Sequence, residues 1–284
     1  MKHLALASLL AALVLQAPAA CADPGIIDAW CDYLGTRLHS VSNETCRNLN
    51  FEAAKELTPR GNALVFRTVA ATQPQDPSVA AKRILVIGGI HGDELTSISI
   101  VFRWLGWIQE PDAAIYHWRF IPLANPDGLK ARPSTRVNAN GVDINRNFQT
   151  PDWAKEAQTY WVKRTKRDPR RYPGKAAGSE IETRWLQAQV DDFQPDLVIS
   201  VHAPYNLLDY DGPVPKPLRF GRLTLNQLGV YPGSMGNYCG LFKQIPVVTI
   251  ELPNATGMPD PREQQAMWRD MLVWIKDNIK VSAP

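Results

Sequence analysis

Ile84-Leu85-Val86-Ile87-Gly88-Gly89-Ile90-His91-Gly92-Asp93-Glu94 passes from apolar to polar within a few residues. A short apolar run followed by glycines reads as a buried strand that turns sharply. His91 and Glu94 sit three residues apart, so a turn entering a helix puts both side chains on one side. An imidazole and a carboxylate so placed can hold one divalent metal, and zinc suits them best. Taken alone, the pair could equally be a surface His beside a surface Glu.

Two further apolar runs end in the same residue types. Leu197-Val198-Ile199-Ser200-Val201-His202 places a histidine at the end of a buried strand. A lone His there could be a satisfied core residue. Val247-Val248-Thr249-Ile250-Glu251-Leu252 ends in a carboxylate, which is costly to bury unpaired. Open α/β sheets bind ligands outside the carboxyl ends of their strands. His91, Glu94, His202 and Glu251 would converge there. Three ligands with one open position is the pattern of a catalytic zinc site. Between the first stretch and these two runs lies Thr135-Arg136-Val137-Asn138-Ala139-Asn140-Gly141-Val142-Asp143-Ile144-Asn145-Arg146-Asn147-Phe148. It is rich in turn formers and carries two arginines, whose planar forks suit a carboxylate.

In chain order, His91-x-x-Glu94, Arg136, Asn145-Arg146, His202 and Glu251 resemble the zinc carboxypeptidase (funnelin) family, from about Ala63 onward. Tyr172-Pro173-Gly174, Gly178-Ser179-Glu180-Ile181-Glu182-Thr183, His202-Ala203-Pro204-Tyr205, Asp209-Tyr210-Asp211-Gly212-Pro213 and Pro232-Gly233-Ser234 resemble its murein peptide amidase branch. That branch cleaves the γ-D-glutamyl–meso-diaminopimelate bond of peptidoglycan stem peptides. The resemblance implies one zinc ion on His91, Glu94 and His202, with Glu251 as general base in amide hydrolysis. It also implies that Arg136 polarises the scissile carbonyl and that Asn145 and Arg146 hold the substrate carboxylate. The digestive members carry a loop tyrosine ahead of the catalytic Glu. Here the candidates are Tyr231 and Tyr238, neither clearly matched, with no role beyond lining the site. Pro232 to Gly236 would offer backbone close to substrate.

Met1 to Ala22 combine Lys2, an apolar stretch from Leu4 to Leu15 and small residues before Asp23. This is the pattern of a secretory signal peptide, too short for a membrane span. Cleavage after Ala22 predicts export to the periplasm without a stable membrane anchor. Cys21 admits a lipoprotein reading, which Pro18 disfavours. An exported chain can keep disulfides. Pairing Cys31 with Cys46 would close a short loop worth ~3 kcal/mol. Two free core thiols remain the alternative, and Cys239 reads as a buried small hydrophobe.

The 284-residue sequence is 45% hydrophobic with nine Trp, enough for one large core after loss of the signal. Its formal charge of +3, or +2 without Lys2, is too small to imply nucleic acid. Lys163 to Arg171 carries six basic residues in nine. It reads as a solvated loop, or as a patch attracting an anionic cell-wall partner.

The expected fold is a single α/β domain, a mixed, mostly parallel twisted sheet with helices on both faces. Residues 1–22 are the signal, 23–62 an N-terminal segment with the candidate disulfide, and 63–284 the catalytic domain. Strands are expected at Ala63–Phe66, Ile84–Ile87, Tyr116–Ile121, Leu197–Val201 and Val247–Leu252, and a helix from Asp93 or Glu94 to about Trp107. Ser179-Glu180-Ile181-Glu182 reads as a capping box opening a helix to about Phe193. Asp260-Pro261 opens the last helix, whose core stripe is Met267, Met271, Ile275 and Ile279. Trp30, Leu34, Leu38 and Val41 would pack a short helix on the domain. The rival functions are a carboxypeptidase on other peptides, an acyl-amino-acid deacylase, and a non-catalytic peptidoglycan-binding module. The sequence leaves oligomeric state open.

Overall fold

In the computed structural model, which describes residues 24–72 and 80–280, Ile84, Leu85, Val86 and Ile87 are all fully buried. A strand apolar on both faces belongs at the centre of a covered sheet, and β3 (Arg83–Ile87) lies fourth of seven strands. The order is β1 (Glu52–Leu57), β2 (Ala63–Val69), β4 (His117–Ile121), β3, β5 (Leu197–His202), β9 (Val247–Glu251), β6 (Leu207–Asp211). The sheet is mixed: β4, β3, β5 and β9 run parallel, and β1, β2 and β6 pair antiparallel at the edges. A two-stranded ribbon, β7 (Arg219–Phe220) and β8 (Leu223–Thr224), stands apart.

Helices cover both faces. On one, α1 (Pro24–Arg37), α3 (Leu95–Leu105) and α8 (Pro261–Asn278) enclose the larger apolar cluster, including Ile84, Val86, Ile199 and Val248. On the other, α7 (Ile181–Phe193) packs Trp185, Leu186 and Val190 against Leu85, Ile87 and Val198. Short α2 (Asn43–Arg47), α4 (Pro111–Ala114) and α5 (Pro126–Lys130), with α6 (Trp153–Lys163), lie in the connections. No described helix is long and apolar enough to cross a membrane.

Several expectations hold locally. The Asp260 carboxylate accepts from the Arg262 and Glu263 amides at 3.0 Å, capping α8. Met267, Met271, Ile275 and Ile279 are buried beneath it. Cys31 and Cys46 form a disulfide. Trp30, Leu34, Leu38 and Val41 are buried, although α1 stops at Arg37, so the last two pack from the turn beyond it.

The capping box does not form. α7 begins after Glu180, which makes no side-chain cap. Ser179 Oγ donates instead to Glu180 Oε1 at 2.6 Å, while Glu182 accepts from Asn138 Nδ2 at 3.0 Å. A neighbouring loop has outcompeted the local pairing. The sequence also gave no sign of β1. Its residues are mostly exposed, as suits an edge strand, so no apolar alternation marks it. Through β1, the 24–62 segment contributes a strand to the sheet. The expected signal peptide, with Cys21, lies outside the described residues.

Candidate metal centre and active site

β3, β5 and β9 run parallel, so their carboxyl ends open on one edge of the sheet. His91 lies in the turn after β3, Glu94 at the start of α3, His202 at the end of β5, and Glu251 opposite it at the end of β9. His91 Nδ1 is 2.8 Å from Glu94 Oε1 and 3.1 Å from His202 Nδ1. His202 Nδ1 is 3.1 Å from Glu94 Oε2. All three residues are buried, with one potential ligand atom each lying within 4.8 Å of the others.

This donor set fits zinc. Asp143 Oδ1 lies 3.2 Å from His91 Nε2. An ionised carboxylate only accepts, so that partner assigns the hydrogen to Nε2 and leaves the Nδ1 lone pair facing Glu94 and His202. Ser200 Oγ holds the outer nitrogen of His202 at 3.0 Å. Burial pushes the Glu94 carboxyl up, but the His91 and His202 imidazoles outweigh it and hold Glu94 far below the usual carboxylate range. Two imidazole nitrogens and an ionised carboxylate aimed at one another form a cation site.

Asp143 is the residue the sequence reading missed. It is fully buried and its second oxygen accepts from Arg136 Nε at 2.9 Å. Burial opposes its ionisation, yet Arg136 and His91 keep it well below the ordinary value. It thus ties Arg136 to His91, one of the three candidate ligands. Arg136 Nη1 stands 3.1 Å from His91 Nδ1 and 3.5 Å from Glu94 Oε1. A signal did exist, because Asp143 sits between the apolar Val142 and Ile144 in an otherwise polar loop.

A cavity of about 170 Å³ extends from this cluster and is lined by Arg136, Asn145, Arg146, Tyr231 and Glu251 among others. Arg146 is 8% exposed and its Nε has no hydrogen-bond partner. Its guanidinium stacks 4.3 Å from the centre of the Tyr231 ring, and burial lowers its pKa. The Asn145 side chain is fixed by the Met235 amide, 2.8 Å from Oδ1. Glu251 is 6% exposed. Burial pushes its carboxyl up, which suits a group that takes and returns a proton.

Three expectations change. Tyr231 lines the cavity but Tyr238 does not; it is buried with its ring stacked on Phe148 at 5.5 Å. Ser234, Met235 and Gly236 do line the cavity, but Gly233 closes on protein rather than substrate. A Cβ there would lie 2.2 Å from the Arg146 carbonyl oxygen. The basic run is only partly solvated, since Arg170 bonds Asp93 at 2.8 Å and Arg171 lines the cavity. Cys239 is a buried thiol 3.4 Å from the Met235 sulfur, as its small-hydrophobe reading expected.

A zinc carboxypeptidase family model matches residues 58–212, and the chain belongs to that family. The matched span holds His91, Glu94, Arg136, Asn145, Arg146 and His202, and Glu251 follows it. The chain is therefore a hydrolase of the zinc metallopeptidase type. Its relatives include murein peptide amidase A of Escherichia coli (strain K12), 30% identical over 219 residues, 72% of this chain and 86% of that protein. Murein peptide amidase A of Vibrio campbellii is 32% identical over 183 residues, 60% of this chain and 69% of that one. Among solved structures, murein-tripeptide amidase MpaA from Escherichia coli O157 shares the fold, with a TM-score of 0.51 at 22% identity, covering 79% of this chain and 92% of that one.

Proposed function

We propose that the chain hydrolyses the γ-D-glutamyl–meso-diaminopimelate amide bond of peptidoglycan stem peptides. The observation that carries this reading is the pairing, in one cavity, of the His91/Glu94/His202 set and Glu251 with a buried Arg146 whose Nε lacks a partner. That arrangement suits an amide next to a free carboxylate, and the chain's murein peptide amidase relatives supply the substrate class. His91, Glu94 and His202 would hold the zinc. When bound, zinc supplies Lewis acidity towards the carbonyl and the attacking water.

The remaining work falls to side chains. Glu251 takes the proton of the attacking water and returns it to the leaving amine. Arg136, oriented by Asp143, donates to the developing oxyanion. Arg146 and Asn145 anchor the carboxylate of the released residue, with Tyr231 stacked behind the guanidinium. An N-terminal export signal would deliver the enzyme to the periplasm, where such peptides are exposed.

The test is incubation of the mature protein with L-Ala-γ-D-Glu-meso-diaminopimelate, with and without a zinc chelator, and product identification by mass. Release of free diaminopimelate that stops with chelator and returns with zinc is expected. A zinc-loaded protein that leaves this peptide intact but trims other peptides or acylated amino acids would overturn the substrate assignment.

A further inference from the structure

β6 and β9 pair antiparallel, with Leu207 opposite Glu251, Asp209 opposite Thr249 and Asp211 opposite Val247. Side chains two apart share a face. Below the row of His202 and Glu251 there is thus a row of Ser200, Thr249 and Asp209, and below that Asp211. At ~3.3 Å per residue, Asp211 is displaced about 13 Å along the strands from Glu251. Both aspartates line the active-site cavity.

Their surroundings are unequal. Asp209 is buried, and its Oδ1 accepts from the Tyr210 amide at 2.9 Å and the Leu228 amide at 3.2 Å. Among the described residues the Asp211 carboxylate has neither a hydrogen bond nor an ion pair. It is partly buried beside Asp209, and burial and that like charge push its pKa up to about 6. The π-helical turn Gly236–Phe242 makes room for it, since a Cβ on Gly236 would lie 2.0 Å from Asp211 Oδ2. A partly buried carboxylate that none of the arginines lining the cavity pairs lacks the partner that burial of a charge demands. The same cavity holds the nine-tenths buried Arg146 with its unpartnered Nε, which points independently to an anionic group on the ligand.

We propose that Asp211, backed by Asp209, is a specificity residue that reads an ammonium at the end of the side chain of the released residue, while Arg146 reads that residue's α-carboxylate. This rests on the amide-hydrolase reading above and identifies the leaving residue as one with a side-chain amine. The carboxylate gains a charge-assisted bond only with such a ligand, whereas a neutral chain of equal length leaves it buried and unpaired.

The test compares L-lysine with L-norleucine, which share the α-carboxylate and differ in the ammonium, by calorimetric binding to the zinc-loaded full chain. It is paired with hydrolysis of L-Ala-γ-D-Glu peptides ending in diaminopimelate, lysine or norleucine. Lysine should bind about tenfold tighter or more, and Asp211→Asn, nearly isosteric, should collapse that ratio towards one. Asp211→Ala serves as a second variant. Equal binding of the two amino acids, or a preference that survives both variants, overturns the proposal. If norleucine peptides are cut as fast as diaminopimelate peptides, the proposal fails while the amidase reading stands. A lysine preference lost in Asp211→Asn, with no γ-D-glutamyl peptide cut, sustains the proposal and defeats the substrate assignment.

Discussion

Replacing Glu182 with Gln should make the protein more stable at pH 8 than at pH 5, relative to wild type. Glu182 is fully buried at the start of α7. Its Oε2 shares Asn138 Nδ2 with Glu180, at 3.0 and 2.8 Å, and its Oε1 has no partner. Burial chiefly, with Asp127 and Glu180 adding repulsion, raises its pKa from 4.5 to about 7. The folded state therefore keeps a proton that the unfolded chain releases. The stability this contributes is fully present below the unfolded pKa and is lost as pH rises through about 7. At 1.36 kcal/mol per pKa unit, the shift amounts to about 3 kcal/mol. Gln cannot ionise and nearly matches the protonated acid in shape, so it removes that loss. Urea unfolding of zinc-loaded wild type and Glu182→Gln at pH 5 and pH 8 reads the difference, in which every other titrating group cancels. The variant should gain about 2–3 kcal/mol on wild type between the two pH values, on the order of 5–10 °C in Tm. Parallel pH dependences would refute the reasoning, because they would mean that Glu182 is ionised in the fold. The outcome bears on function, since Asn138 belongs to the loop that carries Arg136, Asn145 and Arg146.

Three further outcomes are expected. Glu251→Gln should retain zinc by metal analysis while losing about 10²–10⁴-fold in kcat; turnover near wild type would remove Glu251 from the chemistry. Asp143→Asn should weaken zinc binding by about 10–100-fold in a chelator competition, because it no longer fixes the His91 tautomer; unchanged affinity would limit Asp143 to positioning Arg136. The double variant Cys31→Ser/Cys46→Ser, opening a disulfide that spans 15 residues, should lose about 3 kcal/mol in urea unfolding, and a change below about 1 kcal/mol would mean that packing around Trp30 and Leu34 holds the segment unaided.

The candidate site residues were legible for a simple reason. Each follows or ends an apolar run, and a charge placed there must be exposed at a strand end or held by a partner. His91, Glu94, His202 and Glu251 all satisfy that local rule, and their buried strands announce themselves by composition. The α8 cap was legible as well, since an Asp before Pro bonds amides only two and three residues on. The α7 capping box was equally local in form, yet it failed. Asn138 and Asn140, about forty residues away in sequence, compete for the same carboxylates. No pattern around Ser179 reveals that competitor.

What the sequence determined by itself is the set of buried strands, the residues at their ends and the chemistry those residues can support. The tertiary structure decided which of them meet. The order β4-β3-β5-β9-β6 brings the turn after β3 against the ends of β5 and β9. It places Asp143 behind both His91 and Arg136, turns Tyr231 onto Arg146 and sends Tyr238 into the core. It also sets Asp211 two rows below Glu251 on a neighbouring strand. Those relations join residues tens of positions apart through strand register and side-chain packing. Local propensity is blind to them, because the free energy that selects them is gained only when the whole sheet closes over its two cores.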